Sequence, residues 1–181
     1  MNETEFLRRQ IETERAHMAA VCRALDAALE QPAADPIVER FVRAAARYLV
    51  FVSERFNRQE QAHCEILSAR LAAEAQTERR LLADWSDTLR RNAAAVAAVA
   101  SSLDAAADNL ADACRRYLRF YRDSLAQRLH LTRHLPEQLY GLREWRRAAG
   151  LDADSIWRER ELYSAVCAQL PPGIALQETP G

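Results

Sequence analysis

The sequence predicts an all-α fold, an up-down-up-down four-helix bundle with an extra C-terminal helix. Three observations predict it. Only four Gly and six Pro occur among 181 residues, which are dominated by Ala, Leu, Arg and Glu, a helix former's composition. Apolar residues recur at intervals of three and four over long segments, the spacing that places them on one face of a helix. The segments are joined by short connections, and no stretch alternates as a strand would. The length suits one domain that buries most of its apolar surface. Residues 1–170 are expected to form a single helical-bundle domain, and 171–181, PPGIALQETPG, a flexible tail.

Each element has its own justification. From about residue 4 to 30, Leu7, Ile11, Met18, Val21, Leu25 and Leu29 form one stripe, and QPAADP closes the helix. Asp35 followed by Pro36 is an N-cap with proline at the first helical position. The second helix then carries Phe41, Ala45, Tyr48, Val52, Phe56, His63, Ile66 and Leu67 and ends near residues 71 to 76. No Gly or Pro marks that end. The turn is placed at AAEAQT because one helix from 36 to 103 would be about 100 Å long. A third helix, 77 to 102, shows Leu82, Trp85, Leu89 and Val96, with Leu103 following. A fourth, from about 104 to 134, shows Leu110, Cys114, Tyr117, Leu118, Tyr121 and Leu125. Pro136, Gly141 and Gly150 break the pattern. LDADS then caps a last helix near 153 to 170, with Ile156, Trp157, Leu162, Tyr163 and Val166. Trp145, Trp157 and this helix are expected to cap one end of the bundle.

Charge and cysteine usage narrow the function classes. The 25 basic and 26 acidic residues are interspersed and sum to −1, so the positive field of a nucleic-acid or anionic-membrane binder is missing. No apolar run approaches the roughly 18 residues of a membrane span. Neither nucleic acid nor membrane is therefore expected as a partner. All the basic residues are Arg, and the chain is free of Lys. Coding bias accounts for this, or else escape from lysine modification. Cys22, Cys64, Cys114 and Cys167 lack CxxC pairing and lie in helical patterns, without a secretory leader, so buried reduced thiols in a cytoplasmic protein are expected.

The candidate site is a repeated motif. ERAH, Glu14 to His17, and EQAH, Glu60 to His63, both read Glu-x-x-His, the pattern by which ferritin-like bundles hold two irons. On a helical wheel Glu14 falls within the first stripe and His17 lies about 80° from its centre. In the second helix His63 is central, and Glu60 lies roughly 60° away. A hairpin turning at residues 31 to 35 offsets the two motifs by roughly 10 to 15 Å along the bundle. Metals of a di-iron site stand only about 4 Å apart. His130 and His134, spaced for one face, point away from the fourth helix's apolar stripe. No GxSxG, no glycine-rich phosphate loop and no Cys-His dyad occurs.

The stretches IETERAHMAAVCRAL, ARYLVFVSERFNRQEQAHCEIL and YLRFYRDSLAQRLHLTRHLPEQLYGLREW, in that order over residues 10 to 147, resemble the hemerythrin-like (HHE cation-binding) family. The resemblance implies a four-helix bundle that, in full members, holds two irons through histidines and carboxylates and binds dioxygen, nitric oxide or iron. His17 matches the first-helix histidine. Asn57 and Gln61 stand where the second helix should read His-x-x-x-Glu, and the third-helix histidine is absent. The fourth-helix pair falls on Ser124 with Arg128, or on His130 with His134. An Arg at a ligand position repels a cation. The resemblance thus implies a degenerate member without the standard di-iron site.

Two main readings follow. In the first, the chain is a non-enzymatic bundle that acts by binding a protein partner, itself or a small ligand, and has no cofactor; RRYLRFYR and REWRR hold the Arg, Tyr and Trp that interfaces favour. In the second, Glu14, His17, Glu60 and His63 form a nonstandard metal site, with non-haem iron as the cofactor, for handling oxygen or nitric oxide or for binding iron. A subunit or assembly factor is a third expectation.

Overall fold

A computed structural model describes residues 2–31, 35–72, 74–134, 146, 150 and 152–176. Among these the chain forms five helices and no strand: α1 (Glu3–Leu29), α2 (Pro36–Arg70), α3 (Gln76–Ser102), α4 (Ala107–His134) and α5 (Ala153–Ala168). The all-α class is as the composition and periodicity indicate. The boundaries fall within a few residues of those read from the sequence.

Helix starts follow local chemistry. Asn2, Asp35 and Asp152 each accept a backbone N–H of the first turn of α1, α2 and α5, which satisfies one of the donors a helix start leaves unpaired. Helix ends follow tertiary chemistry. Arg115 of α4 donates to the Leu29 carbonyl at the end of α1, at 3.0 Å. Arg79 of α3 donates to the Leu71 carbonyl just past α2, at 2.9 Å. Arg43 of α2 donates to the carbonyls of Leu103 and Ala105 just past α3. Three helix ends that lack glycine are thus closed by guanidiniums from elsewhere in the chain, which also complement the negative end of the helix dipole.

Helix α1 packs against α2, α4 and α5; α2 packs also against α3, α4 and α5; and α3 packs against α4. The apolar residues divide into two clusters. The larger joins Val21, Leu25, Phe41, Tyr48, Leu49, Val52, Val96, Val99, Leu110, Cys114, Tyr117 and Leu118 with Val166 of α5. The smaller, near the α2–α3 turn, holds Cys64, Leu67, Leu82, Trp85 and Leu89. Pro171 is buried, and Ile174 and Leu176 pack against the larger cluster.

Some faces differ from the periodic reading. Trp157, expected on the apolar face of α5, is 65% exposed, because the face turned to α1 and α2 carries Glu159, Leu162, Tyr163 and Val166 instead. Leu125 of α4 is exposed as well. Cys22, Cys64 and Cys114 are buried as expected, but Cys167 is exposed. The predicted breaks at Pro136 and Gly141, and Trp145, lie outside the described residues. Gly150 has a φ of 53°, the left-handed region that favours glycine. No helix among the described residues is long and apolar enough to cross a membrane.

Candidate functional site

The two Glu-x-x-His motifs belong to two different polar clusters. The first lies where α1, α2 and α5 meet. Glu14 of α1 forms an ion pair with Arg55 of α2, and its Oε1 accepts a 3.1 Å hydrogen bond from Gln10. Arg55 also donates to the Ser155 carbonyl at the start of α5, at 3.2 Å, and its guanidinium lies 5.5 Å from the Phe51 ring centre. Burial, the largest influence on Glu14, holds its carboxyl above the ordinary value against the pull of Arg55 and Gln10.

His17 faces α5. Its Nδ1 lies 2.9 Å from Oε1 of Glu159, and the same oxygen accepts a 2.9 Å hydrogen bond from the Tyr48 hydroxyl of α2. Tyr163 stacks on the His17 ring with centroids 3.9 Å apart and a 9° tilt, and packs on Tyr48 at 5.8 Å. Burial, then the Glu159 carboxylate beside it, pushes the Tyr48 hydroxyl far up, so it stays a neutral donor. One carboxylate of α5 thus binds both α1 and α2.

The second cluster lines a cavity of about 220 Å³ between α1, α2, α3 and α4. Arg15 of α1 donates to Oε1 of Glu60 at 2.9 Å, and Nε of Arg128 from α4 lies 3.1 Å from the same oxygen. Burial pushes the Glu60 carboxyl up, but Arg128, Arg15, His63 and the Trp85 indole together overcome it and hold it below its ordinary value. Trp85 Nε1 is buried and has no partner in full hydrogen-bond alignment, so its approach to Glu60 is electrostatic more than a formed bond. Phe56, Leu89, Tyr117, Phe120 and Tyr121 supply most of the remaining wall. Polar groups of the wall are paired: Asn92 donates to Asn57 at 2.8 Å, Thr88 to Gln127 at 2.8 Å, and Ser53 shares a 2.6 Å bond with Tyr117.

The pairing of Glu14 with Arg55 sets the register of α1 on α2. Glu60 lies five residues beyond Arg55, about 7.5 Å further along the helix. That is somewhat less than the offset expected from the hairpin, yet enough to send Glu14 and Glu60 to separate partners. Of the four candidate ligands, Glu14 is paired with Arg55, His17 with Glu159, and Glu60 with Arg15 and Arg128, and His63 helps to lower the Glu60 carboxyl. Among the described residues no group of three or more His, Cys, Asp or Glu side chains is placed to hold a metal ion. The side chains of His130 and His134 lie outside the described residues.

Sequence reasoning missed Arg55 and Glu159 as buried partners. A signal existed: Arg55 falls three residues after Val52 and seven after Tyr48, and Glu159 falls three after Ile156 and three before Leu162. A charged residue in phase with an apolar stripe is a buried charge, and it requires a partner from another element. No known protein family, no curated protein and no solved structure matches the chain.

Proposed function

We propose that the chain is a degenerate hemerythrin-like four-helix bundle, α1 to α4 in up-down-up-down order with α5 laid across α1 and α2, that acts without catalysis in the cytoplasm by binding a small ligand. The observation that carries this reading is the cavity: all four helices line it, and its wall is mostly apolar and aromatic with a few convergent polar groups. Three positions matched to metal ligands by the resemblance, Asn57, Ser124 and Arg128, lie in that wall. A metal is disfavoured because the two motif carboxylates are each neutralised by guanidinium groups, which would compete with a cation and repel it.

The test is thermal unfolding of the full chain with benzene-sized probes of different charge: toluene, benzyl alcohol, benzoate and benzylamine. A probe that binds only the folded protein raises its Tm, by a stabilisation of about 2.7 kcal/mol at a hundred times Kd. The reading requires at least one probe to raise Tm in the wild type. It also requires the rise to vanish when the cavity is filled by Ala19→Phe, with Leu89→Trp as a second filling variant. Binding by none of the four overturns it.

A further inference from the structure

We infer that the cavity is a site for a neutral, apolar molecule built on a single ring, an aromatic hydrocarbon in chemical class. The inference rests on the small-ligand reading and adds the chemistry of the ligand.

The first argument is that polar groups of the wall already have partners within the protein. The Glu60 carboxylate meets Arg15 and Arg128 at 2.9 and 3.1 Å, and the Trp85 indole helps to hold it ionised. Arg15 also lies over the Phe56 ring, 5.9 Å from its centre. The Thr88 hydroxyl donates to Gln127 and accepts from Arg91 at 3.0 Å. Asn92 donates to Asn57, Ser53 shares its bond with Tyr117, and Ser124 donates to the Tyr121 carbonyl at 3.0 Å. A ligand that takes one of these groups for itself strands the partner it displaces, which offsets the bond it gains. A neutral apolar ligand leaves every one of these pairings intact.

The second argument is charge. A carboxylate entering the cavity competes with Glu60 for the same two guanidiniums and stands beside a like charge. A cation drawn to Glu60 meets Arg15 and Arg128 already on the oxygen it would approach. Either ion also gives up its hydration to a wall that is mostly apolar. Charge of both signs is therefore disfavoured.

The third argument is size and surface. An apolar cavity of about 150 Å³ takes benzene, and drug-sized ligands occupy pockets of about 300 Å³ and more. The 220 Å³ here lies between the two and suits one substituted ring. Phe56, Trp85, Phe120 and Tyr121 offer that ring aromatic neighbours, and rings pair favourably when offset or edge to face. Tyr121 and Tyr117 already stack on one another in the same wall, with centroids 6.3 Å apart.

Isothermal titration of the full chain with the same four probes decides the matter. Toluene is expected to bind about tenfold or more tighter than benzyl alcohol, whose hydroxyl enters without a partner. Benzoate and benzylamine are expected to bind more weakly than either. Asn57→Ala, which takes the acceptor from the Asn92 amide, should bring benzyl alcohol close to toluene. An unchanged ratio of the two in a variant of unchanged helicity would overturn the assignment, because the paired wall would then not be what selects the ligand. Benzyl alcohol, benzoate or benzylamine binding to the wild type as well as toluene would also overturn it and leave the cavity reading standing. Binding by no probe overturns both.

Discussion

Glu14 of α1 and Arg55 of α2 form an ion pair with side chains 0% and 2% exposed, away from the surface where such pairs are screened. A charge placed there has lost its hydration, and only the partner and the few hydrogen bonds around it compensate. The pair therefore acts as a register pin: sliding α1 along α2 by one turn would leave both charges buried and alone.

Breaking this pin from one side should be costly. Arg55→Met is expected to destabilise the fold by about 3–5 kcal/mol, because it leaves the Glu14 carboxylate buried against Gln10 alone. Replacing both, Glu14→Leu with Arg55→Met, should recover most of that loss. Urea unfolding of the two variants and the wild type measures the difference. A single variant within about 1 kcal/mol of wild type would show that the carboxylate finds other relief.

Glu159 of α5 ties that helix to both α1 and α2. Glu159→Leu removes the shared partner of Tyr48 and His17 and strands the buried Tyr48 hydroxyl, at about 1–3 kcal/mol. Tyr48→Phe removes one hydrogen bond without stranding a donor, so it should cost less. Amide hydrogen exchange should show protection lost first over 153–168 in Glu159→Leu, with α1 to α4 following only in global unfolding. Uniform loss across all helices would contradict this role.

Acid stability should carry the mark of Glu60. Its carboxyl is held below its ordinary value of 4.5 in the folded protein, so the native state binds that proton less tightly than the unfolded chain does. The stability this contributes is present above pH 4.5 and is lost as pH falls through the lower folded value. Glu60→Gln should therefore narrow its stability gap to wild type as pH drops from 6 to about 3. An unchanged gap over that range would indicate that the carboxylate is solvated in the native protein.

Thiol reactivity should separate one cysteine from three. Cys167 is exposed, whereas burial pushes the Cys64 and Cys114 thiols up to about 12 and the Cys22 thiol higher still. A disulfide reagent at pH 8 is expected to label about one equivalent quickly, and Cys167→Ser should remove that phase. In denaturant all four should react. Fast labelling of a second thiol in the native protein would show that one of the three opens locally.

Much of the fold was legible because its determinants are local. The Asp35–Pro36 and Asp152 starts, the stripe from Leu7 to Leu29, and the α3 face of Leu82, Trp85, Leu89 and Val96 are stated by neighbouring residues within a few turns. The turn after α2 was legible only through length, since the group that closes it, the Arg79 guanidinium, reaches back from the next helix. Trp157 misled for a related reason: with Glu159 in phase with Ile156 and Leu162, apolar content alone did not show which side of α5 faces inward.

By itself the sequence determined the helical class, the capped helix starts and the inward direction of Glu14, because periodicity and caps act through contacts within one helix. It also determined that α3 can offer no histidine, since none occurs between 63 and 130. Only the tertiary structure decided what each polar group meets: Glu14 with Arg55, His17 with Glu159, and Glu60 with Arg15 and Arg128. Those pairings depend on how far one helix is displaced along another and on the reach of arginine side chains. A displacement of five residues, about 7.5 Å, is enough to give Glu14 and Glu60 separate guanidinium partners.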